Sequence, residues 1–325
     1  MFRVVFAILL AMLFGSTIAA QEDRLVGTAQ NENLAISHLP QQRPTSRQWL
    51  VLIAIDDYRH NDFLSDLNSC RRDAEALRDL MQSAFGYKPE YTIELYDNQA
   101  GFRAVRRTLL ELAEKAVKND SILIYFAGHG FYDDNTKLGW WYAHDAEQKA
   151  DGLSNSTVRD WCKAFQAEKV LVIADSCFSG SLLTRSAFNE DVLRRSRELL
   201  TSGGLHPVSD SGSPDGKHSI FNHFLRKSLE RKASLGTPFV TNDLYVDLFV
   251  PVKANSQQEP QKGIILDTYH EGGQFLFYPK SKWTLPVEHQ TNTSNRPSPV
   301  FSVPSGADST QATGYIELLL ENKCV

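Results

Sequence analysis

Cysteine is scarce in this sequence: Cys70, Cys162, Cys177 and Cys324 are the only four in 325 residues. So few in so long a chain exclude a disulfide framework, and no Cys-x-x-Cys pair supports a thiol-redox protein. Long basic runs are missing as well, and the net charge is −5, so nucleic acid is not expected as a partner. No internal repeat is visible and no EF-hand loop occurs. His144, His206, His218 and His223 lack paired metal-ligand spacing and read as surface or loop residues. One apolar run stands out, Val4 to Phe14, behind Met1-Phe2-Arg3 and ahead of Gly15-Ser16-Thr17-Ile18-Ala19-Ala20. It falls short of the ~20 residues that a spanning helix needs. A basic start, a short apolar core and small residues read as a signal peptide over residues 1–20, with a membrane-anchoring first helix as the competing reading. The expectation is an exported protein, periplasmic or extracellular, with no transmembrane span in the mature chain.

What is present is ordinary globular material, 42% hydrophobic and 22% charged, enough for a sizeable core. Residues 21–47 are polar and aperiodic and read as a flexible lead-in. Trp49 to Ile55 is a buried strand. From Ser65 to Phe85, apolar residues at Leu67, Cys70, Ala74, Leu77 and Met81 have the three-four spacing of an amphipathic helix that Gly86 closes. Tyr91 to Tyr96 is a second strand, and Phe102, Val105, Leu109, Leu112 and Ala116 mark a second helix. Residues 131–155 read as a polar excursion with a short hairpin, followed by a helix over Thr157 to Phe165. The alternation of strand and helix implies a parallel sheet with right-handed crossovers and helices on both faces, an α/β fold. Further on, Leu199 to Gly204 reads as a fifth strand. Helices are expected from His218 to about Arg231 and from Asp243 to Val252, and late strands at Gly263 to Thr268 and Gln274 to Tyr278. Residues 281–325 form a tail, rich in Ser, Thr, Pro and Asn up to 314 and expected to be disordered. It ends in a short apolar segment, Tyr315 to Leu320, without an assigned purpose.

Two buried strands end in reactive side chains. Ser121-Ile122-Leu123-Ile124-Tyr125-Phe126 runs into Ala127-Gly128-His129-Gly130, and Val170-Leu171-Val172-Ile173-Ala174 runs into Asp175-Ser176-Cys177-Phe178-Ser179-Gly180. In open α/β sheets chemistry sits just beyond such carboxyl ends. The bland alternatives are a structural histidine and an inert buried thiol. Glycine on both sides of His129 speaks for close backbone approach. Phe178-Ser179-Gly180 reads as the start of a helix or turn, whose N–H groups favour a thiolate. A thiol with an ordinary pKa of ~8.5 is mostly protonated near neutrality, so it needs a base beside it. His129 precedes Cys177 by roughly 50 residues, the separation seen in caspases.

These two motifs resemble those of the caspase-fold cysteine peptidases, and more closely of their bacterial metacaspase-like branch. The Gln-Ala-Cys of animal caspases is absent, and Asp two residues before the cysteine is the metacaspase-like form. The resemblance covers roughly residues 48–280. Ser-Gly-Gly at 202–204, His-Ser-Ile-Phe at 218–221 and Gln-Phe-Leu-Phe at 274–277 add to it. It implies a three-layer caspase-like (caspase-haemoglobinase) fold and a cysteine endopeptidase. Cys177 would be the nucleophile, His129 the proton carrier, and the backbone N–H groups of Cys177 and Gly130 the oxyanion donors, with no third acid required. It also implies a primary specificity pocket walled by Cys70, Asp73 and Asp175. Ala127 departs from the serine usual in the family. Two carboxylates at one pocket select Arg or Lys before the scissile bond, in protein or peptide substrates, and disfavour cleavage after Asp. Asp175 has a structural, hydrogen-bonded alternative.

Related metacaspases bind calcium. The spacing of Asp133, Asp134, Asp145 and Asp151 does not reproduce their pattern, so a solvated acidic loop and no cofactor are expected here. The arginines between Arg185 and Arg197 read as an exposed charged loop or helix, or as a self-processing segment at 182–199. Asp56 and Asp57 follow the first strand without an assigned role, and Cys162 reads as a small buried hydrophobe. The alternative function is a catalytically silent interaction module, which has no need of an intact Cys–His pair.

Overall fold

Three runs of β-branched and aliphatic residues, neighbours in space though not in the chain, form the centre of the main sheet. They are buried on both sides, and the computed structural model shows why. It describes residue 39 and residues 46–60, 62–133, 135–136, 138–176, 183–184, 193–203, 212–266 and 268–280. Cys177 to Gly180, Asp134, Arg185, His206, the segment 1–20 that reads as a signal peptide, almost all of residues 21–47, and residues 281–325 with Cys324 lie outside the described residues.

In chain order the elements are β1 (Gln48–Ala54), α1 (Cys70–Phe85), β2 (Thr92–Tyr96), α2 (Phe102–Lys115), β3 (Ser121–Ala127), β4 (Gly130–Asp133), β5 (Leu138–Trp141), β6 (Leu153–Ser154), α3 (Asn155–Ala164), β7 (Lys169–Asp175), β8 (Leu183–Thr184), β9 (Ser196–Thr201), α4 (Ile220–Leu235), β10 (Phe239–Val240), α5 (Thr241–Asn255), β11 (Gln261–Ile265) and β12 (Leu276–Phe277). The main sheet has the order β2-β1-β3-β7-β9-β11-β8. Strands β2, β1, β3, β7 and β9 are parallel; at one edge β11 pairs antiparallel with β9, and β8 pairs antiparallel with β11. Strand side chains alternate between the two faces. Leu50, Leu52, Leu123, Tyr125, Leu171 and Ile173 pack with α1, α4 and α5. Val51, Ile53, Ile122, Ile124, Val170 and Val172 pack with α2 and α3. Both faces are covered, which is why these strands read as continuous apolar runs rather than as alternating ones. This is the three-layer arrangement expected of a caspase-like fold.

Boundaries differ from the sequence reading where tertiary partners decide. Helix α1 begins at Cys70 and not at Ser65, because the Asp56 carboxylate accepts the N–H groups of Cys70 (2.7 Å) and Arg71 (3.1 Å) and caps the helix there. It stops at Gly86, whose φ of 66° lets its N–H turn back to the Met81 carbonyl. The excursion after His129 holds one strand more than a hairpin, since β6 adds to the β4–β5 pair. The late strand β12 lies outside the main sheet and pairs with β10.

The largest correction concerns the charged segment after Cys177. Strand β9 starts at Ser196, so Arg197 and Glu198 belong to it and are fully buried. Arg197 donates to the carbonyls of Cys162 (2.9 Å), Phe165 (2.8 Å), Ala167 (2.8 Å), Glu168 (3.2 Å) and Ser196 (2.8 Å). All but the Ser196 oxygen lie at the C-terminal end of α3 and just after it, where the helix dipole favours a cation. Glu198 meets Lys262 Nζ at 3.1 Å and accepts from Thr241 Oγ1 at 3.0 Å. An exposed loop is therefore not what Arg197 occupies; its charge is buried because its donors are met. Cys162 is buried, and burial pushes its thiol up to about 12, so it packs as a small hydrophobe, as expected. No helix among the described residues is long and apolar enough to cross a membrane.

Candidate active site

Strands β1, β3 and β7 are neighbours in register and end together, with Ala54 beside Ala127 and Ala127 beside Asp175. His129 stands two residues beyond Ala127 in the sequence, and Cys177 two beyond Asp175. Cys177 itself lies outside the described residues.

His129 is half-exposed and held from two sides. Its backbone N–H donates to Tyr58 Oη at 2.7 Å, and the two rings lie 4.9 Å apart, tilted. Its Nε2 lies 2.7 Å from the Ser65 carbonyl oxygen. A carbonyl only accepts, so Nε2 carries the hydrogen. In the neutral imidazole Nδ1 is then the basic nitrogen. Tyr58 is buried, and burial, with the Cys70 thiol adding to it, holds its hydroxyl well above its ordinary pKa, so it stays protonated. Gly128 makes this contact possible: a Cβ there would fall 2.7 Å from Tyr58 Oη. Gly130 opens β4 opposite Trp141, and the His129 carbonyl accepts from the Tyr142 N–H at 3.0 Å.

The expected pocket residues form a buried polar cluster. Cys70 is the first residue of α1, and its N–H is bound to Asp56. Asp73, on the same helix, is almost completely buried. Its Oδ1 lies 2.5 Å from His218 Nδ1, and its Oδ2 accepts the Ser219 N–H at 3.0 Å. Asp175, at the tip of β7, accepts the Ser219 hydroxyl at 2.6 Å. Burial pushes Asp175 up to about 7; the Ser219 hydrogen bond opposes this, and the nearby Asp73 charge adds to it. Beneath them, Asn222 Nδ2 donates to Tyr125 Oη at 3.0 Å and to the Asp73 carbonyl at 3.2 Å. Asp73 and Asp175 are thus joined through Ser219.

Several of these residues were not found by sequence reasoning. His218 was read as a surface or loop residue, but it is buried against Asp73. His144 is also buried, with Nδ1 2.6 Å from the Asp57 carbonyl. A lone histidine in a polar segment carries no sign of its burial. Tyr58 had one signal, its place just past a strand's carboxyl end. Ser65 acts through its main chain, and no side-chain motif can mark that. Asp56 caps α1, and burial raises its pKa against the pull of the α1 N–H groups.

The acidic residues between β4 and α3 serve the local backbone. Asp145 caps α2 at the Phe102 N–H (2.7 Å), Asp151 accepts from Glu147 and Gln148, and Asp133 accepts from Asn135 and meets Lys149 Nζ at 2.7 Å. Among the described residues, no group of three or more His, Cys, Asp or Glu is placed to hold a metal.

A family model, the caspase domain of the C14 peptidases, matches residues 47–276. The chain belongs to the caspase-domain family. It is therefore of the cysteine-peptidase kind, and proteins are the substrate class that this family suggests. The crystal structure of a Geobacter sulfurreducens protein is similar to the caspase domain described here. Its TM-score is 0.51 at 14% identity, covering 70% of this chain and 99% of that one, which shows the shared fold alone. No curated protein matches the chain.

Proposed function

We propose that this caspase domain is a cysteine endopeptidase that cleaves after Arg or Lys through Cys177 and His129. The observation that carries the reading is the Nε2 contact of His129 with the Ser65 carbonyl, which leaves Nδ1 as the base at the end of the strand beside β7. In the proposed reaction the Cys177 thiol gives its proton to Nδ1, and the thiolate attacks the scissile carbonyl carbon. The N–H groups of Gly130 and Cys177 take the oxyanion. The imidazolium returns its proton to the leaving amine as the C–N bond breaks. Water then attacks the thioester, with His129 again as base, and releases the acid product and the free thiol.

Two acidic side chains joined at Ser219 support the preference for a basic residue. Self-processing fits the segment between Cys177 and Arg195, at Arg185, Arg194 or Arg195. Arg197 is excluded from it by its burial in β9. The N-terminal segment supports export. The test is hydrolysis of peptide reporters ending in Arg, Lys or Asp by the wild-type protein and the Cys177→Ala variant. Turnover of the Arg and Lys reporters alone, lost in the variant, is expected. Preference for Asp, or turnover that survives the substitution, contradicts the reading.

A further inference from the structure

Two carboxylates close together in a buried place repel one another and are costly to desolvate. They hold their positions only where donors meet them. In this fold one residue supplies a donor to each: the Ser219 N–H to Asp73 Oδ2 at 3.0 Å, and the Ser219 hydroxyl to Asp175 Oδ2 at 2.6 Å. Ser219 is also the N-cap of α4, where its Oγ accepts the Asn222 N–H at 2.9 Å. Its hydroxyl is thereby fixed by the helix that it starts, and the positive end of the α4 dipole faces both acids.

We propose that Ser219 is the positioning residue of the specificity pocket, clamping Asp73 and Asp175 side by side as a two-carboxylate receptor for one guanidinium or ammonium group. This deepens the reading of basic specificity above and rests on it. His218 completes the arrangement on the Asp73 side, by donating from Nδ1 to Oδ1. The groups around Asp175 are Asp73 of α1, Tyr125 of β3, Ser202 just past β9 and Ser219 of α4. His218 stands on Asp73, and Arg226 stands one step farther, with its Nε 2.9 Å from Asn222 Oδ1. Among the described residues none of these is a cation bonded to Asp175. A substrate's basic side chain would supply a cationic partner that the described residues do not, and the Ser219 hydroxyl keeps the carboxyl turned to receive it. Because that hydroxyl also favours the ionised form of Asp175, its loss raises the pH at which the pocket gains its charge.

The experiment compares two reporters that differ only at the residue before the scissile bond, arginine in one and its neutral isostere citrulline in the other. Their kcat/KM ratio is followed from pH 5.5 to 8.5, and the shared catalytic groups cancel in it. Ser219→Ala and Ser219→Gly should lower the ratio about tenfold, as loss of a hydrogen bond to a charged group does, through KM for the arginine reporter. Both should move its rise to higher pH. Ser219→Thr should restore both. The glycine variant keeps the backbone N–H and most of the cap, so it stays folded where alanine weakens α4. Ser154→Ala, which removes the corresponding cap from α3, should cost similar stability and leave the ratio and its pH dependence unchanged. Unchanged ratio and pH midpoint in the Ser219 variants, or a threonine variant that restores neither, overturns the proposal while the basic specificity stands. Equal wild-type turnover of the two reporters, or none, removes the basic specificity and this inference with it.

Discussion

His129 is oriented by a main-chain oxygen: its Nε2 lies 2.7 Å from the carbonyl of Ser65, in the loop that precedes α1. The arrangement does for the imidazole what a buried carboxylate does in other nucleophilic sites, fixing the tautomer, but it adds no charge. A His129→Gln variant keeps an amide N–H that can reach the same carbonyl but supplies no base. It should melt close to the wild type and lose about 10²- to 10⁴-fold in kcat on any substrate that the wild type cleaves. Thermal melting and single-turnover kinetics check the two halves.

Tyr58→Phe keeps the ring beside His129 and removes the oxygen that accepts its N–H. The expected cost is about 1–2 kcal/mol of stability, read from urea midpoints, with a drop in kcat that exceeds any change in KM. Gly128→Ala attacks the same contact from the other side, because its Cβ would meet Tyr58 Oη, and should mimic or exceed this effect.

Asp175 gives stability a pH dependence of unusual sign for a carboxylate. Its pKa is raised from 3.8 to about 7. Between those values the folded chain holds a proton that the unfolded chain has lost. The contribution is therefore fully present below the lower value and fades as pH rises through the upper one, by a few kcal/mol in all. Asp175→Asn, which resembles the protonated acid, should flatten the decline in urea midpoint between pH 5 and pH 8 and gain most at pH 8. The same substitution should lower kcat/KM for an Arg reporter. A steeper decline in the variant would contradict the buried placement of this carboxyl.

Arg197 ties β9 to the end of α3 and the turn after it through four carbonyl oxygens, and bonds the Ser196 carbonyl of its own strand as well. Arg197→Ala leaves those acceptors buried and a cavity beside them, and should cost about 3–5 kcal/mol or prevent folding. Arg197→Lys keeps a cation but cannot span the same oxygens and should fall between. Chemical denaturation of the two variants gives the order. Limited proteolysis with trypsin should spare Arg197 in the native wild type.

What the sequence reveals follows from how local each signal is. β1, β3 and β7 are each buried on both faces, and an unbroken apolar run encodes that without outside help. Gly86 announces the end of α1 because only the left-handed turn there needs it. Cys177 and His129 stand out in the sequence because each follows such a run; the structure describes His129, and Cys177 lies outside the described residues. Arg197 and Glu198 are not, since their burial depends on carbonyls of α3 and on Lys262 and Thr241, far away in the chain. His218 is hidden for the same reason, as its partner Asp73 lies 145 residues earlier. Ser65 contributes a backbone oxygen, which any residue would carry.

Covalent labelling tests the central claim most directly. A short peptide ending in arginine and bearing a thiol-reactive electrophile, followed by mass spectrometry, reports which cysteine faces a basic side chain. The account predicts modification of Cys177 alone, suppressed in His129→Gln and competed by the Arg reporter, with the buried Cys70 and Cys162 untouched. Labelling of Cys70 or Cys162 at a comparable rate, or labelling of Cys177 that is indifferent to both His129 and the arginine, would contradict it.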